Sequence, residues 1–144
     1  MARYRTTVQS HKTPEDAFDY LADFANAKEW DPGVVEGENL TGRPLGQGNR
    51  FRLVSRFAGR RIPLEYRITT FERPGRVVFQ ADQAAVRATD EIRFEAGGTG
   101  TLVTYEADLG LKGPLGRLLD PLLAVAFRRI GDRAAAGLRE ALNP

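Results

Sequence analysis

The sequence predicts an α+β fold: a curved, seven-stranded antiparallel sheet wrapped on one long C-terminal helix, with two short helices after the first strand. Three observations carry that expectation. Residues 34–109 alternate apolar and charged side chains between turn signals, the period of half-buried strands. After Lys112-Gly113-Pro114 the apolar spacing changes to the three-to-four-residue period of a helix. Each strand has one charged face, so the sheet needs cover on one side only, and the C-terminal helix carries the large unmatched apolar stripe. The 144 residues read as one domain, 1–144, long enough to build a core without a covalent or metal staple.

The elements follow in order. Residues 3–9 alternate and carry threonine and valine, as a first strand does. Thr13-Pro14-Glu15-Asp16 opens a helix: threonine caps, proline fits the first helical position, and two acids face the positive end of the dipole. Ala17, Phe18, Leu21 and Phe24 continue it as one stripe. A second short helix covers Asn26–Trp30 and is stopped by Asp31-Pro32-Gly33. Val34–Leu40 is a strand, and the loop from Gly42 to Gly48 follows it. Asn49–Phe57 sets Phe51, Leu53, Ser55 and Phe57 on one face, against Arg50, Arg52, Val54 and Arg56 on the other.

Ala58-Gly59 turns tightly into Arg61–Phe71, which directs Ile62, Leu64, Tyr66, Ile68 and Thr70 inward. In Glu72-Arg73-Pro74-Gly75, proline is expected at the first central position of a turn and glycine, with positive φ, at the second. Arg76–Asp82 turns in Val77, Phe79 and Ala81, and Val86–Glu95 turns in Val86, Ala88, Asp90, Ile92 and Phe94. Beyond Gly97-Gly98-Thr99-Gly100, Thr101–Leu109 does the same with Val103, Tyr105, Ala107 and Leu109. In the helix the expected stripe is Leu115, Leu119, Leu122, Ala126, Ile130, Ala134, Leu138 and Ala141. Pro121 either kinks that helix or places its start after Asp120 as cap.

Composition excludes several chemistries. Without cysteine there is no disulfide framework, thiolate metal site or cysteine nucleophile, and one histidine, His11, argues against a histidine metal cluster or a Ser-His-Asp triad. No metal and no cofactor is expected. No apolar run approaches the roughly 18 residues of a membrane span. The N-terminal residues enter patterned sequence without the apolar core of a signal peptide, so a cytoplasmic protein is expected. Eighteen arginines against three lysines sum with the acids to a charge of only +2. Arg50, Arg52, Arg56, Arg60 and Arg61 do cluster in one hairpin. The outer face there lacks interleaved aromatic side chains, so no nucleic-acid partner is expected and a solvated face is favoured.

The order of elements and its landmarks resemble the SRPBCC or START-like superfamily, the helix-grip fold, in its polyketide cyclase/dehydrase and lipid-transport branch. The landmarks are Thr13-Pro14-Glu15-Asp16-Ala17-Phe18, Leu21-Ala22-Asp23, Trp30-Asp31-Pro32, Gly46-Gln47-Gly48, Glu72-Arg73-Pro74-Gly75 and the run from Gly98 to Tyr105. The resemblance spans nearly the whole chain. It implies a hydrophobic cavity between sheet and C-terminal helix that takes a lipid-, sterol- or polyketide-like small molecule, with a minority of members catalysing cyclisation or dehydration.

Within that frame strand parity selects the candidates. Asp90 falls on the inward face, where a carboxylate suits a general base or an anchor for a ligand hydroxyl. A bulge between Ala88 and Ile92 would turn it outward, and an arginine would neutralise it. Tyr66 and Tyr105 bring phenols to the same face and, with Asp90, are the catalytic candidates if the protein is an enzyme. The expected ligand-binding set is Trp30, Leu53, Ser55, Phe57, Tyr66, Ile68, Phe79, Asp90, Tyr105, Leu122 and Phe127. The expected partner is thus a hydrophobic small molecule, with a weak homodimer left open. A partner-binding module using the outer arginines is the remaining alternative.

Overall fold

The computed structural model describes residues 2–57 and 59–144, with Leu115 as backbone only. The expected turn residue Ala58 and the expected inward side chain of Leu115 lie outside the described residues. In chain order the elements are β1 (Ala2–Ser10), α1 (Pro14–Ala22), a 3-10 turn (Phe24–Asn26), α2 (Ala27–Trp30), β2 (Val34–Asn39), β3 (Arg50–Phe57), β4 (Arg60–Glu72), β5 (Arg76–Asp82), β6 (Val86–Gly97), β7 (Gly100–Leu111) and α3 (Pro114–Leu142). The strands form one antiparallel sheet in the order β1-β7-β6-β5-β4-β3-β2. This is the predicted seven-stranded sheet with its C-terminal helix.

The two edge strands are β1 and β2, so the short helices carry the chain across the open side of the sheet from one edge to the other. Helix α1 starts as its sequence dictates. The Asp16 amide donates to Thr13 Oγ1 at 3.2 Å, Pro14 occupies the first turn, and Ala17, Phe18, Leu21 and Ala22 are buried. Phe18 meets Phe71 and Phe94 edge-on, each with ring centroids 5.2 Å apart. In the 3-10 turn, Phe24 stacks on Phe79 at 4.0 Å and meets Tyr66 edge-on at 5.0 Å. These rings make the solid part of the core.

Two local expectations are corrected. In the pairing of β4 with β5, Ile68 faces Phe79 while Thr70 faces Val78, so an extra residue bulges from β4. Beyond a bulge the in-out alternation reverses. Phe71 therefore turns in to Phe18, and Thr70 leaves the inner face. The turn at Glu72–Gly75 also differs, because the Gly75 amide donates to the Glu72 carbonyl at 2.7 Å. Pro74 thus takes the second central position, with a cis Arg73–Pro74 peptide, and Gly75 does not adopt positive φ.

Helix α3 starts at Pro114 and continues through Pro121, so its start is not at Asp120. Its inward residues include Leu123, Phe127, Ile130, Gly131, Ala134, Ala135, Leu138 and Leu142. The expected stripe is displaced by one residue in the first half of the helix. Leu119 and Leu122 are 37% and 70% exposed, whereas Leu123 is 7% exposed. Leucine and alanine are so dense here that two neighbouring stripes satisfy helical spacing, and packing chooses between them. Gly137 lets α3 lie against α2: a Cβ there would fall 1.9 Å from the Trp30 carbonyl oxygen.

Candidate functional site

A cavity of about 220 Å³ lies between the inner sheet face and α3. Its wall is mainly apolar: Leu53 and Leu64 from β3 and β4, Ala88 and Ala107 from β6 and β7, and Leu123 and Ile130 from α3. Small residues on β6, β7 and α3 leave the space, because alanine fills neither the sheet nor the helix side of the layer. A depression on the outer sheet face, bordered by Arg5, Glu91, Arg93, Thr104 and Glu106, is a surface groove of paired charges.

Asp90 faces the cavity because β6 keeps its register with both neighbours: Asp90 pairs with Phe79 on β5 and with Ala107 on β7, and no bulge intervenes. Tyr105 stands on the same face of β7, two residues from Ala107, and its hydroxyl donates to Asp90 Oδ2. Burial above all raises the Asp90 carboxyl, the Tyr105 hydrogen bond opposes it, and the nearby acids Asp31 and Asp108 add to the rise, which brings it to about 7. What surface Asp90 retains belongs to the cavity, so its environment is that of a buried acid. Burial also raises Tyr105 and Tyr66 well above the ordinary phenol value, aided by the Asp90 charge. Both phenols stay protonated.

Trp30 closes one end. It is 5% exposed and meets Tyr105 edge-on at 5.4 Å. Asp31, the next residue, also borders the cavity, and its Oδ1 accepts from the Gly33 amide at 2.8 Å. Burial raises its carboxyl, and the Gly33 hydrogen bond opposes that. Asp31 was not among the expected site residues. It follows a helix rather than lying on a strand, so parity says nothing about it, and the one signal for it is its place beside Trp30.

Of the expected residues, Trp30, Leu53, Ser55, Phe57, Tyr66, Asp90, Tyr105 and Phe127 border the cavity. Ile68 and Phe79 do not; both are fully buried in the ring-packed part of the core. Leu122 points to solvent, and its neighbour Leu123 takes the cavity position. Arg56, assigned by parity to the outer face, sits exposed at the rim. Two arginines of the same hairpin have acidic neighbours, Arg50 with Glu65 at 3.6 Å and Arg61 with Glu36 at 3.3 Å. Among the described residues no helix is long and apolar enough to cross a membrane.

The arrangement can enclose an apolar body and meet it with polar groups at Asp31, Tyr66, Asp90 and Tyr105. A carboxyl near 7 also passes a proton readily at neutral pH. A family model described as polyketide cyclase / dehydrase and lipid transport matches residues 1–143. Among solved structures, TTHA0849 from Thermus thermophilus is 21% identical with a TM-score of 0.77, covering 98% of this chain and 95% of that one. A START superfamily protein from Mycobacterium smegmatis is 16% identical with a TM-score of 0.75, covering 99% and 97%. The di-domain ARO/CYC BexL from the BE-7585A biosynthetic pathway is 17% identical with a TM-score of 0.67; the match covers 97% of this chain and 49% of BexL. No curated protein sequence matches the chain. At these identities the solved structures speak for the fold.

Proposed function

The chain belongs to the polyketide cyclase / dehydrase and lipid transport family, and on that premise we propose that it holds a hydrophobic or amphipathic small molecule, lipid-, sterol- or polyketide-like, between the sheet and α3. The observation that supports this most is the cavity itself, a mainly apolar space with a minority of polar groups on its wall. Trp30, Leu53, Phe57 and Phe127 would contact the apolar body, while Ser55, Tyr66, Asp90 and Tyr105 would meet its polar groups. Native mass spectrometry of the gently purified protein tests the reading. A bound small molecule is expected, and Ala107→Trp, which fills the cavity from β7, removes it. A protein that stays empty and binds no lipid, sterol or aromatic polyketide overturns the proposal.

A second reading is favoured by the hydrogen bond between Tyr105 and Asp90. In a cyclase or dehydrase, Asp90 would take a proton from a carbon beside a carbonyl, and Tyr66 or Tyr105 would hold the resulting enolate oxygen. Turnover of a poly-β-keto thioester by the wild type, abolished in Asp90→Asn, supports this reading. No turnover of such substrates sinks it and leaves binding.

A further inference from the structure

Resting on the cavity reading above, we propose that the ligand is an amphipathic amine, its apolar body against the sheet and α3 and its protonated nitrogen held by Asp31, Tyr66 and Asp90.

These acids lack the partners that acids elsewhere in the protein have. Eighteen arginines are available, and away from the cavity they meet the carboxylates of the sheet and helices: Arg73 with Asp19 at 2.7 Å, Arg76 and Arg93 with Glu91 at 2.9 Å; at the cavity edge Arg3 meets Asp108 at 2.7 Å. The groups acting on Asp90 are Tyr105, Asp31 and Asp108, and Asp31 is met by the Gly33 amide; no cationic side chain is among them. Two carboxyls thus share a low-dielectric wall with no ion-pair partner, Arg56 standing exposed at the rim, and this arrangement favours a cation arriving from outside.

A second, independent observation points the same way. Tyr66 borders the cavity at 8% exposure, and among the described residues its hydroxyl has no hydrogen-bond partner. Asp31 meanwhile uses Oδ1 on Gly33 and leaves Oδ2 free, and Asp90 uses Oδ2 on Tyr105 and leaves Oδ1 free. Three acceptors are therefore available for the three N–H donors of a primary ammonium. Trp30, Tyr66 and Tyr105 add aromatic faces, which attract a cation through the ring quadrupole. A carboxylate ligand would bring a third negative charge to the same wall.

Titration calorimetry with decylammonium, decanol and decanoate tests the proposal. At pH 8 the amine is expected to bind at least tenfold tighter than the alcohol, with decanoate weakest. The titratable and charged groups that border the cavity with Asp90 are Tyr4 on β1, Asp31 after α2, Arg56 on β3, Tyr66 on β4, and Tyr105 and the Arg3-paired Asp108 on β7; the cavity-facing side chains of α3 are apolar. Amine affinity should accordingly rise from pH 5.5 to 8 as Asp90 ionises, while decanol affinity stays flat. In Asp90→Asn and Asp31→Asn the amine-to-alcohol ratio falls towards one, a readout that general loss of folding does not produce. Equal binding of the three probes, or preference for decanoate, overturns the amine assignment and leaves the cavity reading standing. Binding of none of them also overturns the amine assignment, whereas the cavity reading falls only if native mass spectrometry shows an empty protein that binds no lipid, sterol or aromatic polyketide either.

Discussion

Replacing Asp90 by asparagine should flatten the alkaline side of the stability profile. The folded protein holds the Asp90 proton up to about pH 7, while an ordinary aspartate releases it near 3.8. Folding therefore takes up a proton between those values. Stability from this group is greatest below pH 4, declines as pH rises, and is fully lost above 7. Moving a carboxyl from 3.8 to about 7 corresponds to about 4 kcal/mol at full ionisation, of which about 3 kcal/mol falls between pH 5 and 8.5. Asparagine keeps an acceptor for the Tyr105 hydroxyl and has no charge to bury. Relative to wild type, Asp90→Asn should gain about 3 kcal/mol more at pH 8.5 than at pH 5, or about 10 °C in Tm for a chain of this size. Urea denaturation of both proteins at the two pH values reads it directly. Groups held low by arginine, Asp19 and Glu91 among them, lose stability in acid instead, and the comparison cancels them. Parallel profiles, or a variant that loses more at pH 8.5 than at pH 5, would refute the burial argument.

Four further substitutions test the packing. Gly137→Ala places a Cβ 1.9 Å from the Trp30 carbonyl oxygen; overpacking outweighs the gain in helix propensity, and a net loss of about 1–2 kcal/mol is expected in thermal unfolding. A rise in Tm would show that α3 does not lie against α2 this closely. Leu123→Ser should cost more than about 2 kcal/mol while Leu122→Ser stays within about 0.5 kcal/mol; the reverse order in chemical denaturation would restore the expected stripe. Phe79→Ala removes the ring stacked on Phe24 and should cost about 3–5 kcal/mol, since it empties the core rather than the cavity. A loss under about 1 kcal/mol would mean that these rings do not close the core.

Much of the site was legible where a strand continues without interruption. The positions of Leu53, Tyr66, Asp90 and Tyr105 follow from alternation alone, because β3, β6, β7 and the first part of β4 run in unbroken register. Legibility stops where that rule meets an irregularity. Thr70 was misplaced by one bulged residue: in Ile68-Thr69-Thr70-Phe71 the doubled threonine interrupts the alternation, but threonine fits either face and does not mark where the strand reverses. Leu122 was misplaced because a helix rich in leucine and alanine offers more than one apolar stripe. Arg56 reached the rim because, near a strand end, a long exposed side chain is not bound to one face.

By itself the sequence determined the element order, the identity of the covering helix and the inward acid. Each rests on a local period of two or 3.6 residues, or on a cap and a turn written in adjacent residues. The partition of the inner face into solid core and open cavity was decided only by tertiary structure. Ile68 and Phe79 share the parity of Tyr66 and Asp90, yet they lie under the rings of the short helices, whereas Tyr66 and Asp90 border the space beside α3. Asp31 joined Asp90 for the same reason. Residues so far apart in the chain become neighbours through the closing of one layer on another, a distance no local period encodes.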